Sequence, residues 1–265
     1  MKIALCFYGL VGSVSDKNGN GVPLDPSIAY KHFKKNIFDV NDEVDVFIHS
    51  WSNDHKNILI KLYKPKSYII EKQILFPKSK HHPFLTKGIV KKAQMFLLKI
   101  FKSNSYLKLK EIGEKESFRA YSRWYSVNKS VDLMRDFEIK NNFSYDCVMS
   151  TRLDAPFFKP VIFKNFDMSF FYASNWNDAP NKKTNASANF LNQNVGKAFL
   201  DLWFFSNSKL MFKFSKLFDK IDQYPVNPHT SSYRHVITFT NNIKYVFYRW
   251  YDHELIRRKF FDSVK

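Results

Sequence analysis

The sequence predicts an α/β fold, a single domain on a mostly parallel sheet flanked by helices. Three observations predict it. Lys2–Phe7, Val44–Ser50 and the run opening at Tyr145 are short and apolar almost throughout, as strands buried on both faces are. The segments between them carry apolar residues at helical spacing. Residues 2–50 read strand, loop, helix, strand, which is the order of a βαβ unit.

The first strand, Lys2–Phe7, runs into a loop that holds Gly9, Gly12, Gly19 and Gly21, four of the seven glycines in the chain. Pro23, Asp25 and Pro26 open a helix to about Phe38, with Ile28, Phe33 and Ile37 as its buried stripe. The second strand, Val44–Ser50, ends in His49, Ser50 and Trp51, and a third, Ser67–Glu71, follows Lys64-Pro65. Ile89, Ala93, Phe96, Leu97 and Ile100 then recur at helical spacing beside Lys91, Lys92, Lys99 and Lys102. This basic amphipathic helix suits either an anionic bilayer surface or a place against the sheet. Ser117–Asn141 is the longest helical pattern, and Asn141-Asn142 marks its stop. It leads into the stretch Tyr145–Phe158, a strand that opens at Tyr145 and whose apolar run ends in Thr151-Arg152-Leu153-Asp154. Strands near Ser169–Ala173, Leu202–Phe205 and Lys244–Tyr248 follow, with helices over Ser208–Ile221, Thr230–Thr238 and from Asp252. The asparagine-rich stretch 175–194 reads as a loop with the character of a lid. A nucleotide-binding half over about 1–158 and an acceptor half over about 159–265 divide the domain.

The chain has 265 residues, enough for one large domain, and its 45% hydrophobic content with 28 Phe and 14 Tyr supplies a sizeable core. Cys6 and Cys147 both fall in predicted buried strands, as packed thiols in a reducing compartment do, so a cytoplasmic location is expected. The N-terminal apolar stretch is too short for a signal peptide, and no run reaches the roughly 18–20 apolar residues of a membrane-spanning helix. A formal net charge of +18 and a pI near 9.7 favour anionic partners: phosphorylated substrates, acidic lipid or nucleic acid. The same lysines also serve as an ordinary solvated surface.

Chemistry concentrates in Thr151-Arg152-Leu153-Asp154, followed by Ala155-Pro156. Arg152 and Asp154 are spaced i, i+2, so they leave the end of a strand on the same side. In open α/β sheets, ligands bind beyond such carboxyl ends. The guanidinium suits phosphate oxygens, and the carboxylate suits a divalent metal or a ribose hydroxyl. Tyr8, Gly9 and Gly12 border the same rim, and the glycine loop is neither GxxxxGK[ST] nor GxGxxG. His49 and Trp51 close the second strand there, while Arg123 and Ser126, three apart on a helix, suit one shared ligand. Asp201 and Asp178 are the carboxylates available as a base on an acceptor hydroxyl. His253 is a second candidate metal ligand beside Asp154, although a pair at a helix start is the commoner explanation of His253-Glu254. No HExxH, cysteine zinc set or GxSxG elbow is present.

Together, Tyr8-Gly9-Leu10, DVFIHSW at 45–51, YKPKSYIIE at 63–71, SRWYSVNKSVDLMRDFE at 122–138 and YDCVMSTRLD at 145–154 resemble a bacterial family of glycosyltransferases from capsule and lipopolysaccharide gene clusters. The resemblance covers about residues 1–220, most closely 117–158. It implies a GT-A-like, Rossmann-type sheet and a nucleotide-sugar donor. It also implies a surface-glycan or lipid-linked glycan acceptor, at the cytoplasmic face of the inner membrane. Arg152 and Asp154 stand where such proteins carry a DxD motif that holds the donor diphosphate, usually with Mn²⁺ or Mg²⁺. Arg152 replaces the first Asp, which separates this chain from the metal-binding pattern. Val11-Gly12 stands where relatives often carry Thr-Arg. Two other classes compete. A basic nucleic-acid-binding α/β protein would need exposed aromatics on a charged face, whereas most aromatics here lie in apolar periodic segments. A nucleotidyl- or phosphotransferase of related fold would use a different activated donor.

Overall fold

The computed structural model describes residues 1–13, 23–76, 104–175, 198–249 and 251–256. They form one α/β domain around a seven-stranded sheet. β1 (Lys2–Gly9), α1 (Pro26–Asn36), β2 (Glu43–Ser50), α2 (Lys56–Tyr63) and β3 (Ser67–Ile70) come first. α3 (Asn104–Asn141), β4 (Cys147–Arg152), β5 (Phe171–Asn175) and β6 (Leu200–Ser206) follow. α4 (Ser208–Ser215), α5 (Pro228–Val236) and β7 (Ile243–Tyr248) complete the order.

Across the sheet the strands run β3-β2-β1-β4-β6-β5-β7. β1 is parallel to β2 and β4, β2 to β3, and β5 to β7, while β6 is antiparallel to both β4 and β5. The sheet is therefore mixed but mostly parallel. Alternation along β1 explains the layers. Ile3, Leu5 and Phe7 point to a core shared with Ala29, Phe33 and Ile37 of the α1 region and with Leu59 and Tyr63 of α2. Ala4, Cys6 and Tyr8 point the other way, onto Ala120, Trp124, Val127, Val131 and Met134 of α3 and Met211 and Phe214 of α4.

Local sequence fixes most of the boundaries. Asp25 accepts the Ser27 N–H at 2.8 Å as N-cap of α1, with Pro26 just inside the helix. α3 stops where expected, with Asn142 in the left-handed conformation at φ 52°. Four expectations need correction. α2 has no counterpart in the sequence reading: only Leu59 and Tyr63, one turn apart, are buried in it, too few to set a period. The key strand begins at Cys147, not Tyr145, because Glu138 takes the Tyr145 N–H that a strand would use. The helix expected over Ser208–Ile221 ends at Ser215 and resumes as a 3₁₀ segment, Phe218–Gln223. No helix starts at Asp252. Tyr251 and Asp252 form a turn and His253 bridges to Phe157 and Arg249. The basic helical pattern over 89–102 and the asparagine-rich stretch at 176–194, including Asp178, lie outside the described residues. Among those described, no helix is long and apolar enough to cross a membrane.

Candidate active site

β1 and β4 are neighbours, yet the chain leaves β1 toward β2 and β3 and leaves β4 toward β6, β5 and β7. The strand order therefore reverses between them. At such a switch point the connections diverge and leave a crevice beyond the carboxyl ends of the strands. Tyr8 of β1 pairs with Arg152 of β4 at this edge.

Three arginines meet three carboxylates here. Arg152 donates from Nε and Nη2 to the two Asp154 oxygens at 2.6 and 2.7 Å, the parallel fork that guanidinium and carboxylate planes favour. The i, i+2 spacing thus brings the two groups together, but onto each other. Arg123 of α3 pairs with Asp201, the second residue of β6. Arg249, just past β7, donates from Nε and Nη2 to Glu254 at 2.7 and 3.0 Å. The pairs sense one another. Burial and the charge of Arg152 lower the Arg123 pKa to about 10, so Arg123 remains a cation at neutral pH. For Arg152, burial opposes the charge, but Asp154, with Tyr8 and Glu254, outweighs it and raises the pKa. The buried Tyr8 phenol, its pKa pushed up to about 12 chiefly by burial, donates to the Asp201 carbonyl at 3.0 Å. His229, at the start of α5, lies 3.3 Å from Asp201 and 2.9 Å from the Phe199 carbonyl. Burial and then the Arg123 charge drive its pKa down to about 3, leaving a neutral ring.

The glycine turn lies against this cluster. Gly9 and Gly12 have φ of 88° and 98°, which L side chains rarely adopt. A Cβ on Gly12 would lie 3.1 Å from the Asp154 Cβ, so the turn and the Arg152–Asp154 pair are in contact. Ser126 Oγ accepts the Gly9 N–H at 2.8 Å, and the Gly9 carbonyl accepts Ser50 Oγ at 2.8 Å.

Other residues expected at the rim are interior. His49 is fully buried, its Nδ1 2.7 Å from Ser126 Oγ and its Nε2 3.2 Å from Glu71. Trp51 is buried and stacks on Tyr125. Ser126 therefore clips the β1 turn to β2, while Arg123 reaches Asp201, so the two do not share a ligand. Asp201 lies inside a strand, not before one. It is 4% exposed and tied to Arg123, an arrangement that suits holding a guanidinium better than taking a proton. Asp178 lies outside the described residues.

A divalent ion does not fit these groups as they stand. Both Asp154 oxygens are engaged by Arg152. His253 places Nε2 2.7 Å from Ser174 Oγ and lies among the rings of Phe157 and Trp203. Among the described residues, no three His, Cys, Asp or Glu side chains gather as a ligand set. Guanidinium groups supply the positive charge instead. Arg249 was missed from the sequence, and Glu254 was read only beside His253, not as the partner of Arg249. The signal for Arg249 was there: it ends the apolar run Ile243–Tyr248 just as Arg152 ends Cys147–Thr151.

The sequence matches no family model, and no curated protein matches it either.

Proposed function

We propose that the chain is a nucleotide-sugar-dependent glycosyltransferase with a GT-A-like sheet, acting on a bacterial surface glycan or its lipid-linked precursor. The observation that carries the reading is the convergence of Arg123, Arg152 and Arg249, each paired with a carboxylate, at the carboxyl edge where the strand order reverses. The three-strand order β3-β2-β1, with β4 next to β1 across the switch point, is that of a mononucleotide-binding half, which supports a nucleotide on the β1 side. The likeness to capsule and lipopolysaccharide glycosyltransferases supports the sugar and the acceptor.

In this reading the donor diphosphate meets Arg152 at Nη1, which makes no bond among the described residues. Asp154 keeps the guanidinium plane fixed, and the Gly9–Gly12 turn lets backbone approach the nucleotide. Transfer joins the acceptor oxygen to the anomeric carbon and breaks the bond from that carbon to the diphosphate. The nucleoside diphosphate leaves with the electron pair, and the hydroxyl proton passes to a base. Arg152 and Arg123 then offset the charge gained by the leaving group, the part that a metal ion plays at a carboxylate-only site. Asp201 holds Arg123 in place for that task.

A thermal-shift screen of UDP-, GDP-, CMP- and dTDP-sugars, with Mn²⁺ or with EDTA, tests the reading. One nucleotide class should raise the melting temperature with EDTA present, since a ligand at a hundred times its Kd adds about 2.7 kcal/mol. No shift with any donor, together with salt-sensitive binding of single-stranded RNA, would replace this reading with the nucleic-acid one.

A further inference from the structure

We infer that the β3 edge of the sheet docks onto an anionic lipid surface, with Leu75 as the residue that enters it. The segment after β3 is pinned at both ends. Glu71 donates its N–H to the Ser50 carbonyl at 3.0 Å and turns its carboxylate to His49. Phe76 packs on Trp51, Tyr125, Tyr121 and Phe218. Between them, Gln73 accepts a hydrogen bond from Ser122 at 2.9 Å. Leu75 nevertheless stands 90% exposed, with Ile74 at 37% and Tyr68 of the edge strand at 40%. A single exposed leucine is common. Leu75 is instead held outward, next to Ile74 in the chain, by a segment anchored on both sides of it, while Tyr68 lies on the edge strand with Lys56 Nζ 5.9 Å from its ring.

Charge selects the occupant. From Lys56 to Phe76 there are five lysines, all exposed, and Glu71 is the one acid, turned inward to His49. Lys66 also faces Asp45 at 3.4 Å, which leaves Lys56, Lys61, Lys64 and Lys72 as the stronger attractants. The sequence beyond Phe76 stays free of acidic residues until Glu111. Exposed lysines close in sequence to a protruding aliphatic group suit lipid phosphates over an acyl layer. Single-stranded nucleic acid would instead require stacking rings, and among the described residues Tyr68 is the one exposed aromatic on this edge.

Vesicle co-sedimentation of the full chain tests this, using phosphatidylcholine with and without phosphatidylglycerol. The protein should sediment with the anionic vesicles only. Leu75→Asp should weaken partitioning roughly tenfold or more, from the aliphatic burial it forfeits. Lys61→Gln, Lys64→Gln and Lys72→Gln should each weaken it roughly fivefold. Melting temperature and any nucleotide-sugar shift should stay unchanged in Leu75→Asp, so failure here is distinguishable from failure of the glycosyltransferase reading. Wild-type partitioning of Leu75→Asp and of the lysine variants would overturn the inference. So would a preference for single-stranded RNA over the anionic vesicles that these substitutions leave intact.

Discussion

The two ends of the sheet both bury carboxylates, and they satisfy them in opposite ways. At the amino end, Glu138 of α3 is fully buried and accepts from the Tyr145 N–H, Ser144 Oγ, Ser208 Oγ and Arg135 at 2.7 to 3.1 Å. Three of those four donors are neutral, and they tie the end of α3 to the approach of β4 and the start of α4. At the carboxyl end, Asp154 has both oxygens on one guanidinium, and Asp201 and Glu254 each have their own arginine. A carboxylate held chiefly by neutral donors has little to exchange, and its one arginine, Arg135, already stands 40% exposed. A guanidinium paired with a carboxylate can take a phosphate oxygen on its remaining edge. In the proposed function, the amino end holds and the carboxyl end trades.

Although burial also lowers the pKa of His235 and His32 elsewhere, the largest expected effect is acid sensitivity centred on the carboxyl end. His49, His229 and His253 all lie there, and burial first of all lowers their pKa values to about 4, 3 and 3 from 6.5. Between those values and pH 6.5, the folded rings bind fewer protons than unfolded ones. Stability is therefore full above pH 6.5 and falls as the pH drops, by about 1.4 kcal/mol per pH unit for each histidine. Urea midpoints from pH 7 to 4 should show this slope. Hydrogen exchange should open the Gly9 turn, Ser174 and α5 before the amides around Glu138. A flat profile, or one that opens the Glu138 end first, would break the contrast.

Arg152→Ala comes next. It strands a 4%-exposed Asp154, a loss of about 3–5 kcal/mol for a broken buried pair, and it should end donor binding. Replacing both partners by apolar groups, Arg152→Met with Asp154→Leu, should recover most of that stability and none of the binding. Glu138→Gln should cost about 1–3 kcal/mol, since the amide keeps one acceptor and leaves other donors unmet, yet donor affinity should not move. Chemical denaturation and the thermal-shift assay separate the three. An equal loss of affinity in Glu138→Gln would erase the distinction between the two ends.

Much of this was legible in the chain. The apolar runs gave β1, β2 and β4 to within a residue or two, because strands buried on both faces leave little choice of residue. The Arg152-x-Asp154 spacing correctly put two charges on one side of a strand end. What spacing could not give was partner choice. Arg123 looked suited to share a ligand with Ser126, but Asp201 lies 78 positions away in sequence and reaches it only through the antiparallel return of β6. His49 looked like a rim residue until Ser126 and Glu71 were found to occupy both its nitrogens. Both misreadings concern long-range polar contacts, which neither period nor propensity encodes.

The smallest effects distinguish the two glycines of the β1 turn. Both have positive φ, so alanine at either costs about 1–2 kcal/mol of backbone strain, partly offset by about 0.4–1 kcal/mol from a stiffer unfolded chain. At Gly9 a new Cβ meets no protein atom within 4 Å, so Gly9→Ala should stop near that net value. At Gly12 it comes within 2.9 Å of Leu24 Cδ1 and 3.1 Å of the Asp154 Cβ. The leucine tip can swing aside. The Asp154 Cβ is held by a backbone carbonyl bonded to the Ile256 N–H at 2.8 Å and by a side chain locked to Arg152. Gly12→Ala should therefore be the less stable variant by about 1 kcal/mol, as overpacking of a fixed contact is. Leu24→Val should restore only part of the difference, because it relieves the movable neighbour and not the fixed one. If it restored all of it, the Asp154 carboxylate would be free to shift, and the rigid Arg152–Asp154 fork would not be the frame on which the trading end depends.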